Sequence, residues 1–182
     1  MLDLNSITYK KIDKSNWKIA YDIQAREWPE SKAYDHFKKI ANSTDPKNMS
    51  FIAYLHNEPI GICGVYQVKI DPKTLWLDWF CIDKKYRGHG YGRQILLDTI
   101  EYCKKFADID FFRIDTILKT TRPSSILYIK EMDMIEKYTK EDTEILKHGW
   151  YICSKVLKNN CDLIAWNNRY LDLFDESGKE RV

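Results

Sequence analysis

Hydrophobic and polar residues recur along this chain with two different periods, and the changes of period predict the order of its elements. Polar and apolar side chains alternate along residues 6–12, as they do in a strand. A mixed helical pattern follows and ends at Pro29, with Asp13 or Ser15 as the predicted N-cap. Residues 32–43 predict a second helix. The chain therefore opens with a strand and two helices.

From Ser50 onwards the period is that of strands. Two alternating runs up to residue 70 predict a hairpin whose turn is Asn57–Pro59. Residues 74–82, dense in aromatic and branched side chains, predict a buried strand. The remaining pattern predicts a helix at 93–107, a strand at 111–118, a helix at 123–132 and two closing strands at 135–140 and 149–157.

This order of elements predicts an α/β fold with a mixed, mostly antiparallel central sheet flanked by helices. A regular doubly wound parallel sheet would instead alternate strands and helices one by one. Residues 1–158 are predicted to form one domain, and 159–182 a C-terminal extension with helical spacing and a frayed end. Three aromatic residues of this extension are candidates to pack on the core, close a substrate site or form a dimer contact: Trp166, Tyr170 and Phe174.

Composition narrows the class of protein. The 182 residues are 44% hydrophobic and 31% charged, as in one globular domain, and the formal net charge of +2 favours neither nucleic acid nor membrane as a partner. The first residues lack the apolar run of a signal peptide, so we expect a cytoplasmic protein. Five cysteines without CxxC spacing and four scattered histidines predict reduced thiols and no metal site.

The segment "YRGHGYGRQIL", residues 86–96, contains three of the seven glycines of the chain: Gly88, Gly90 and Gly92. A glycine-rich turn that opens a helix can bind phosphate through backbone amides. Four basic residues accompany it: Lys84, Lys85, Arg87 and Arg93. The spacing is neither that of a P-loop nor that of a dinucleotide fingerprint. A turn that binds no ligand, or one that binds a nucleotide, stays an alternative at this point.

Residues 82–92 resemble the acyl-CoA-binding signature of the GNAT superfamily of N-acetyltransferases. Arg87, Gly90 and Gly92 match its positions, and Lys84 stands where proline is frequent. The resemblance implies acetyl-CoA as acyl donor and a strand near Ile82 that splays from the strand at 111–118, leaving room for the pantetheine. It also implies the following donor-binding residues: Phe80, Cys81, Ile82, Arg87, Gly88, His89, Gly90, Tyr91, Gly92, Arg93, Thr121 and Ser124.

The resemblance further implies a general acid, a tyrosine that protonates the departing thiolate. "LYIKEMDM" places Tyr128 at that position, with Asp133 instead of the usual glycine and Met134 instead of the usual phenylalanine. Aspartate tolerates a left-handed turn, so we expect that turn to persist at Asp133. The alternative is that Tyr128 is simply a core aromatic residue.

Asp78 is the candidate base for the amine, directly or through a water. A carboxylate inside the apolar run "LWLDWFCI" is costly to bury without a partner or a purpose, and some family members carry an acid at this spacing. The alternative is a structural aspartate that is ion-paired or exposed at an edge.

The acceptor is predicted from the connection between the first two helices, where Trp28 is flanked by Glu27 and Glu30. An aromatic wall with carboxylates suits a cationic amine, although these residues also fit a solvated helix end. We expect a small-molecule amine such as a polyamine, amino sugar or amino acid. A protein or peptide acceptor, and a non-catalytic acyl-CoA-binding module, are the alternatives; a homodimer is an option.

Overall fold

The computed structural model describes residues 7–30, 33–69, 71–119, 121–137 and 150–166. The helices in these ranges are α1 (Trp17–Glu27), α2 (Tyr34–Ile40), α3 (Tyr91–Lys104) and α4 (Pro123–Glu131). The strands are β1 (Ile7–Lys11), β2 (Met49–Leu55), β3 (Glu58–Tyr66), β4 (Thr74–Leu77), β5 (Cys81–Ile82), β6 (Phe111–Ile117), β7 (Met134–Lys137) and β8 (Trp150–Val156). The predicted α/β order is confirmed, with one strand more than expected.

The predicted hairpin is formed by β2 and β3, but its turn lies earlier than expected. The turn residues are His56 and Asn57, whose φ angles are 49° and 69°. Two consecutive positive φ values are those of the two-residue turns that suit the twist of a hairpin. The predicted turn Asn57–Pro59 is therefore wrong: Pro59 belongs to β3, opposite Tyr54, where the register shifts.

The predicted strand at 74–82 is wrong as one element, because it is two strands with different partners. The parallel ladder of β4 with β6 ends at Trp76, opposite Arg113. After Leu77 the chain leaves strand geometry, and β5 then pairs antiparallel with β3. Gly61 of β3 permits this pairing, because a Cβ there would lie 2.6 Å from the carbonyl oxygen of Cys81.

The fold divides into two compact units, and the first comprises Met1–Tyr66 and Leu77–Thr99. Its strands follow the antiparallel order β1-β2-β3, and β5 pairs with β3. Helices α1 and α2 contribute to a core whose members include Ala20, Ile23, Phe37, Ile52 and Ile62. This unit contains the glycine segment and Asp78.

The predicted cap of α1 is wrong, since Asn16 is the residue before the helix. The carboxylate of Asp13 instead accepts hydrogen bonds from the amide and the hydroxyl of Ser15, at 2.7 and 2.6 Å. This local turn replaces a cap, because the Asp13 oxygen that could accept from an amide of the helix accepts from Ser15 instead.

The second unit comprises Gln67–Trp76 and Ile100–Val182, with strand order β4-β6-β8-β7. Arg113 is fully buried in it and donates to the Ser154 hydroxyl and the carbonyl of Ile164. Trp166 packs edge-on against Trp76, with ring centroids 5.0 Å apart. The start of the C-terminal segment therefore packs on this unit's core, whereas Tyr170 and Phe174 lie outside the described residues. The predicted boundary at residue 158 stays a prediction.

Candidate active site

The glycine segment forms a left-handed turn that leads directly into α3. Gly88 and Gly90 have φ values of 81° and 86°, and a Cβ built on either would meet no atom within 4 Å. Helix α3 begins at Tyr91, two residues before the predicted start, and the Gln94 amide donates to the carbonyl of Gly90 at 3.1 Å. First-turn amides have no partner within a helix. The turn is therefore open and lies at the start of a helix, which is a place where backbone amides can bind a phosphate.

Two ion pairs of opposite polarity connect this turn to the end of α1. Arg26 pairs with Asp83 at 2.8 Å, and Glu27 pairs with Arg87. Arg87 also donates from Nε to the carbonyl of Ile82 at 2.8 Å. Arg87, the arginine of the signature, therefore fixes the shape of the turn. Its partner is Glu27, which was predicted to bind the acceptor.

Asp78 lies just beyond β4, and its carboxylate has three hydrogen-bond donors. Oδ2 accepts from the Ser50 hydroxyl at 2.7 Å and lies 2.9 Å from Nε2 of His36. Burial, the largest single effect, opposes ionisation, but the hydrogen bond and electrostatic attraction of His36, with hydrogen bonds from Ser50 and the Trp79 amide, together outweigh it. They hold the pKa of the Asp78 carboxyl below its usual range. The residue is therefore an anion at neutral pH.

Gly64 in β3 leaves room for the hydrogen bond between Ser50 and Asp78. The Asp78 amide donates to the carbonyl of Gly64 at 2.9 Å, which fixes where the side chain leaves the backbone. A Cβ at Gly64 would lie 2.8 Å from the Cβ of Ser50, so a larger residue would displace the hydroxyl that bonds Asp78. Sequence reasoning missed His36 and Ser50, because histidines were considered there only for metal spacing and neither residue is near Asp78 in the chain.

Aromatic residues pack beside His36. The rings of Trp28 and Trp79 are 5.5 Å apart, and those of His36 and Trp79 are 6.3 Å apart. Trp28 is 38% exposed, and Glu30 is also exposed. The first unit thus places the predicted acceptor residue Trp28 in an aromatic cluster with Trp79 and His36, and this cluster meets the Asp78 anion through His36.

Tyr128, Thr121 and Ser124 belong to the second unit. Tyr128 lies on α4 and is 5% exposed, Ser124 is half-buried in the first turn of that helix, and Thr121 is exposed before it. Burial fits a core aromatic residue as well as a general acid, so the role of Tyr128 stays a prediction.

The expected left-handed turn at Asp133 is wrong. Among the described non-glycine residues, positive φ is found at His56 and Asn57. The Asp133 carboxylate instead accepts from the Val156 amide at 2.9 Å and from Lys155 at 3.0 Å. Aspartate therefore ties the end of α4 to β8 through its side chain, a contact that glycine could not make.

Cys81 is the thiol within the predicted donor-binding segment, and it is buried. Burial is the main cause that raises its pKa to about 12, with a contribution from Glu27. A protonated thiol is a poor nucleophile at neutral pH. In the described part of the chain, no group of three or more potential ligand residues could hold a metal ion, and no helix could cross a membrane.

Comparison with known families now identifies the fold and its chemistry. A family model described as "Acetyltransferase (GNAT) family" matches residues 17–128, more than half of the chain. The chain belongs to this family. Its predicted membership is confirmed, and it is an acyltransferase whose donor is acetyl-CoA. No curated protein sequence matches the chain significantly.

Solved GNAT structures share the fold at low sequence identity. A chimera of the spermidine N-acetyltransferase SpeG from Vibrio cholerae is 10% identical, with a TM-score of 0.62 over 84% of this chain and 96% of that one. The ribosomal alpha-N-protein acetyltransferase RimL is 13% identical, with a TM-score of 0.61 over 84% and 94%. A GNAT acetyltransferase from Elizabethkingia anophelis with acetyl-CoA bound is 20% identical, with a TM-score of 0.59 over 84% and 99%. Such likeness establishes the fold and leaves the acceptor open.

Proposed function

We propose that this GNAT protein transfers the acetyl group of acetyl-CoA to the primary amine of a small cationic molecule, by direct attack. The observation that carries the proposal is the buried, ionised Asp78, hydrogen-bonded to a His36 ring that packs against Trp79. An anion behind an aromatic surface suits an ammonium group, through charge and cation–π attraction. The same unit contains the turn that fits the donor's pyrophosphate.

On the donor side, backbone groups do the binding. Amides of residues 88–93 donate to the pyrophosphate, since the Arg87 amide already donates to the carbonyl of Lys84, and the lysines before the turn add positive charge. The backbone of Phe80–Ile82 pairs with the pantetheine as an extra strand would. An amide of this segment is expected to donate to the thioester oxygen, where negative charge develops during attack.

Direct transfer is supported by the state of Cys81. Its raised pKa keeps the thiol protonated, so an acyl-cysteine intermediate at this position is disfavoured. In the direct route the amine attacks the thioester carbon, and Tyr128 protonates the departing sulfur. The assignment of Tyr128 rests on the family resemblance of its segment.

The test is a CoA-thiol release assay with acetyl-CoA over polyamines, amino sugars, amino acids and peptides. We expect thiol release that needs both acetyl-CoA and a small amine. Tyr128→Phe should lower kcat by about 10²-fold or more while acetyl-CoA affinity changes little, because a general acid acts in the transition state. Full activity in that variant would remove Tyr128 from the mechanism.

A protein or peptide acceptor is the second candidate, because a solved structure of the same fold is that of a protein acetyltransferase. Thiol release that occurs with peptides and not with small amines would favour it.

We also propose a cytoplasmic location, which the free cysteines of the described chain support since thiols persist in reducing compartments. A homodimer is a further proposal, which size-exclusion chromatography with light scattering would test.

A further inference from the structure

We propose that His36 is the group that takes the proton from the acceptor amine, and that Asp78 is the positioning residue that orients it. The assignment rests on the proposed function, since it names the base for amine acetylation. The sequence predicted the buried carboxylate of Asp78 as the proton acceptor. The proposal assigns that role to the imidazole of His36 on α2.

The hydrogen bond to Asp78 selects the useful tautomer of His36. Nε2 lies 2.9 Å from Oδ2 of an ionised carboxylate, which can only accept, so Nε2 carries the hydrogen. In the neutral form of the ring, Nδ1 then holds the lone pair. Within the described residues no hydrogen bond to Nδ1 is present. One ring nitrogen is therefore anchored and the other is available to a substrate.

Exposure distinguishes the two members of the pair. The His36 side chain is 34% exposed, whereas that of Asp78 is 8% exposed. The same Asp78 oxygen, Oδ2, also accepts from Ser50. An amine can therefore reach the imidazole more readily than a carboxylate that is both buried and already hydrogen-bonded.

Neighbouring rings hold the imidazole in place. The His36 ring lies edge-on to Phe37 at 5.4 Å and to Trp79 at 6.3 Å. Trp79 in turn contacts the exposed ring of Trp28. An ammonium group bound on this aromatic surface would lie next to the His36 ring, because Trp79 contacts that ring, and a general base needs such proximity.

Each proton and electron pair of the proposed step has a destination. Nδ1 of His36 takes a proton from the ammonium group, and the freed nitrogen lone pair attacks the thioester carbon. The C–N bond forms, the C–S bond breaks, and the electron pair of the C–S bond leaves with sulfur. The thiolate takes its proton from the general acid proposed above, and the second surplus proton of the nitrogen restores that acid, which gives CoA thiol and the amide. The imidazolium returns its proton to water.

The test compares His36→Gln, His36→Ala and Asp78→Asn in the thiol-release assay with the best amine. Glutamine keeps a donor toward Asp78 but provides no base, so we expect kcat to fall by about 10²-fold or more. The KM for the amine and the affinity for acetyl-CoA should change little. Added imidazole should raise the rate of His36→Ala and leave that of the wild type unchanged.

Two further variants make the result specific. The double variant His36→Gln/Asp78→Asn should be no slower than His36→Gln alone, because a positioning residue has no effect without the group that it positions. Lys39→Gln, on the exposed side of the same helix, should keep the wild-type kcat.

The outcomes are separable. A wild-type kcat in His36→Gln, or a folded His36→Ala that imidazole does not accelerate, would overturn the role of His36 while amine acetylation stands. A wild-type protein that releases no thiol with any amine would overturn the proposed function, and the assignment of His36 with it.

Discussion

Individual glycines position this site in two different ways. Gly88 and Gly90 adopt left-handed φ angles that other residues rarely adopt, and they shape the turn before α3. Gly61 and Gly64 have ordinary φ angles but leave room for β5 and for Ser50. The first pair shapes the turn that is proposed to bind the donor's phosphates. In the second pair, Gly61 leaves room for Cys81 and Ile82, and Gly64 leaves room for Ser50, which bonds Asp78.

Gly64 therefore gives a prediction at the residue scale. A Cβ there would overlap Ser50, so Gly64→Ala should lower the free energy of unfolding by about 1–3 kcal/mol, as overpacking does. It should also lower kcat, because the Ser50 hydroxyl would be displaced from Asp78. Urea denaturation and the thiol-release assay measure the two effects.

A double-mutant cycle with Ser50→Gly controls for other causes. If the overlap with Ser50 is the cause, the double variant should be less destabilised than the sum of the two single variants. Additive losses, or a Gly64→Ala variant as stable as the wild type, would show that the space beside Gly64 does not matter.

At the scale of elements, the end of α1 and the turn before α3 form one structure. Arg26 and Glu27 are adjacent, and they pair with Asp83 and Arg87 on either side of the short 3₁₀ turn at Lys84–Tyr86. Partly exposed ion pairs contribute little to stability. Their effect here is geometric: they hold the turn in the shape that presents its amides.

Glu27→Gln distinguishes this role from the predicted contact with the acceptor. If Glu27 fixes Arg87, the variant should weaken acetyl-CoA binding several-fold and leave the amine KM unchanged, because the amides of the turn lose their fixed geometry. Isothermal titration with CoA and steady-state kinetics measure the two constants.

Glu30→Gln is the matched control, since Glu30 is an exposed carboxylate in the same connection. It should leave CoA binding unchanged. A raised amine KM with unaltered CoA affinity in Glu27→Gln would instead assign Glu27 to the acceptor.

The order of the elements and the glycine turn could be predicted from local patterns, whereas the exact turn and cap residues could not. Period changes predicted the element order, and the glycines with Arg87 predicted the turn and its family. Prediction failed where the outcome depends on distant partners: β5 separates from β4 because β3 offers Gly61 as a neighbour, and His36 meets Asp78 only after α2 folds beside the strands. No spacing along the chain encodes such contacts. Asp78 could be predicted as a candidate because a carboxylate is unusual in an apolar run. Its partners His36 and Ser50 could not be predicted.

At the scale of the molecule, binding of the donor should be visible as stability. A ligand that binds only the folded state stabilises it by about 2.7 kcal/mol at 100 times its Kd, so CoA should raise the Tm of the wild type. Gly90→Ala should lose most of this increase, because a left-handed alanine costs roughly 1–2 kcal/mol. Gly90→Asn should keep more of it, since asparagine tolerates that φ. An undiminished shift in Gly90→Ala would place the CoA site away from this turn.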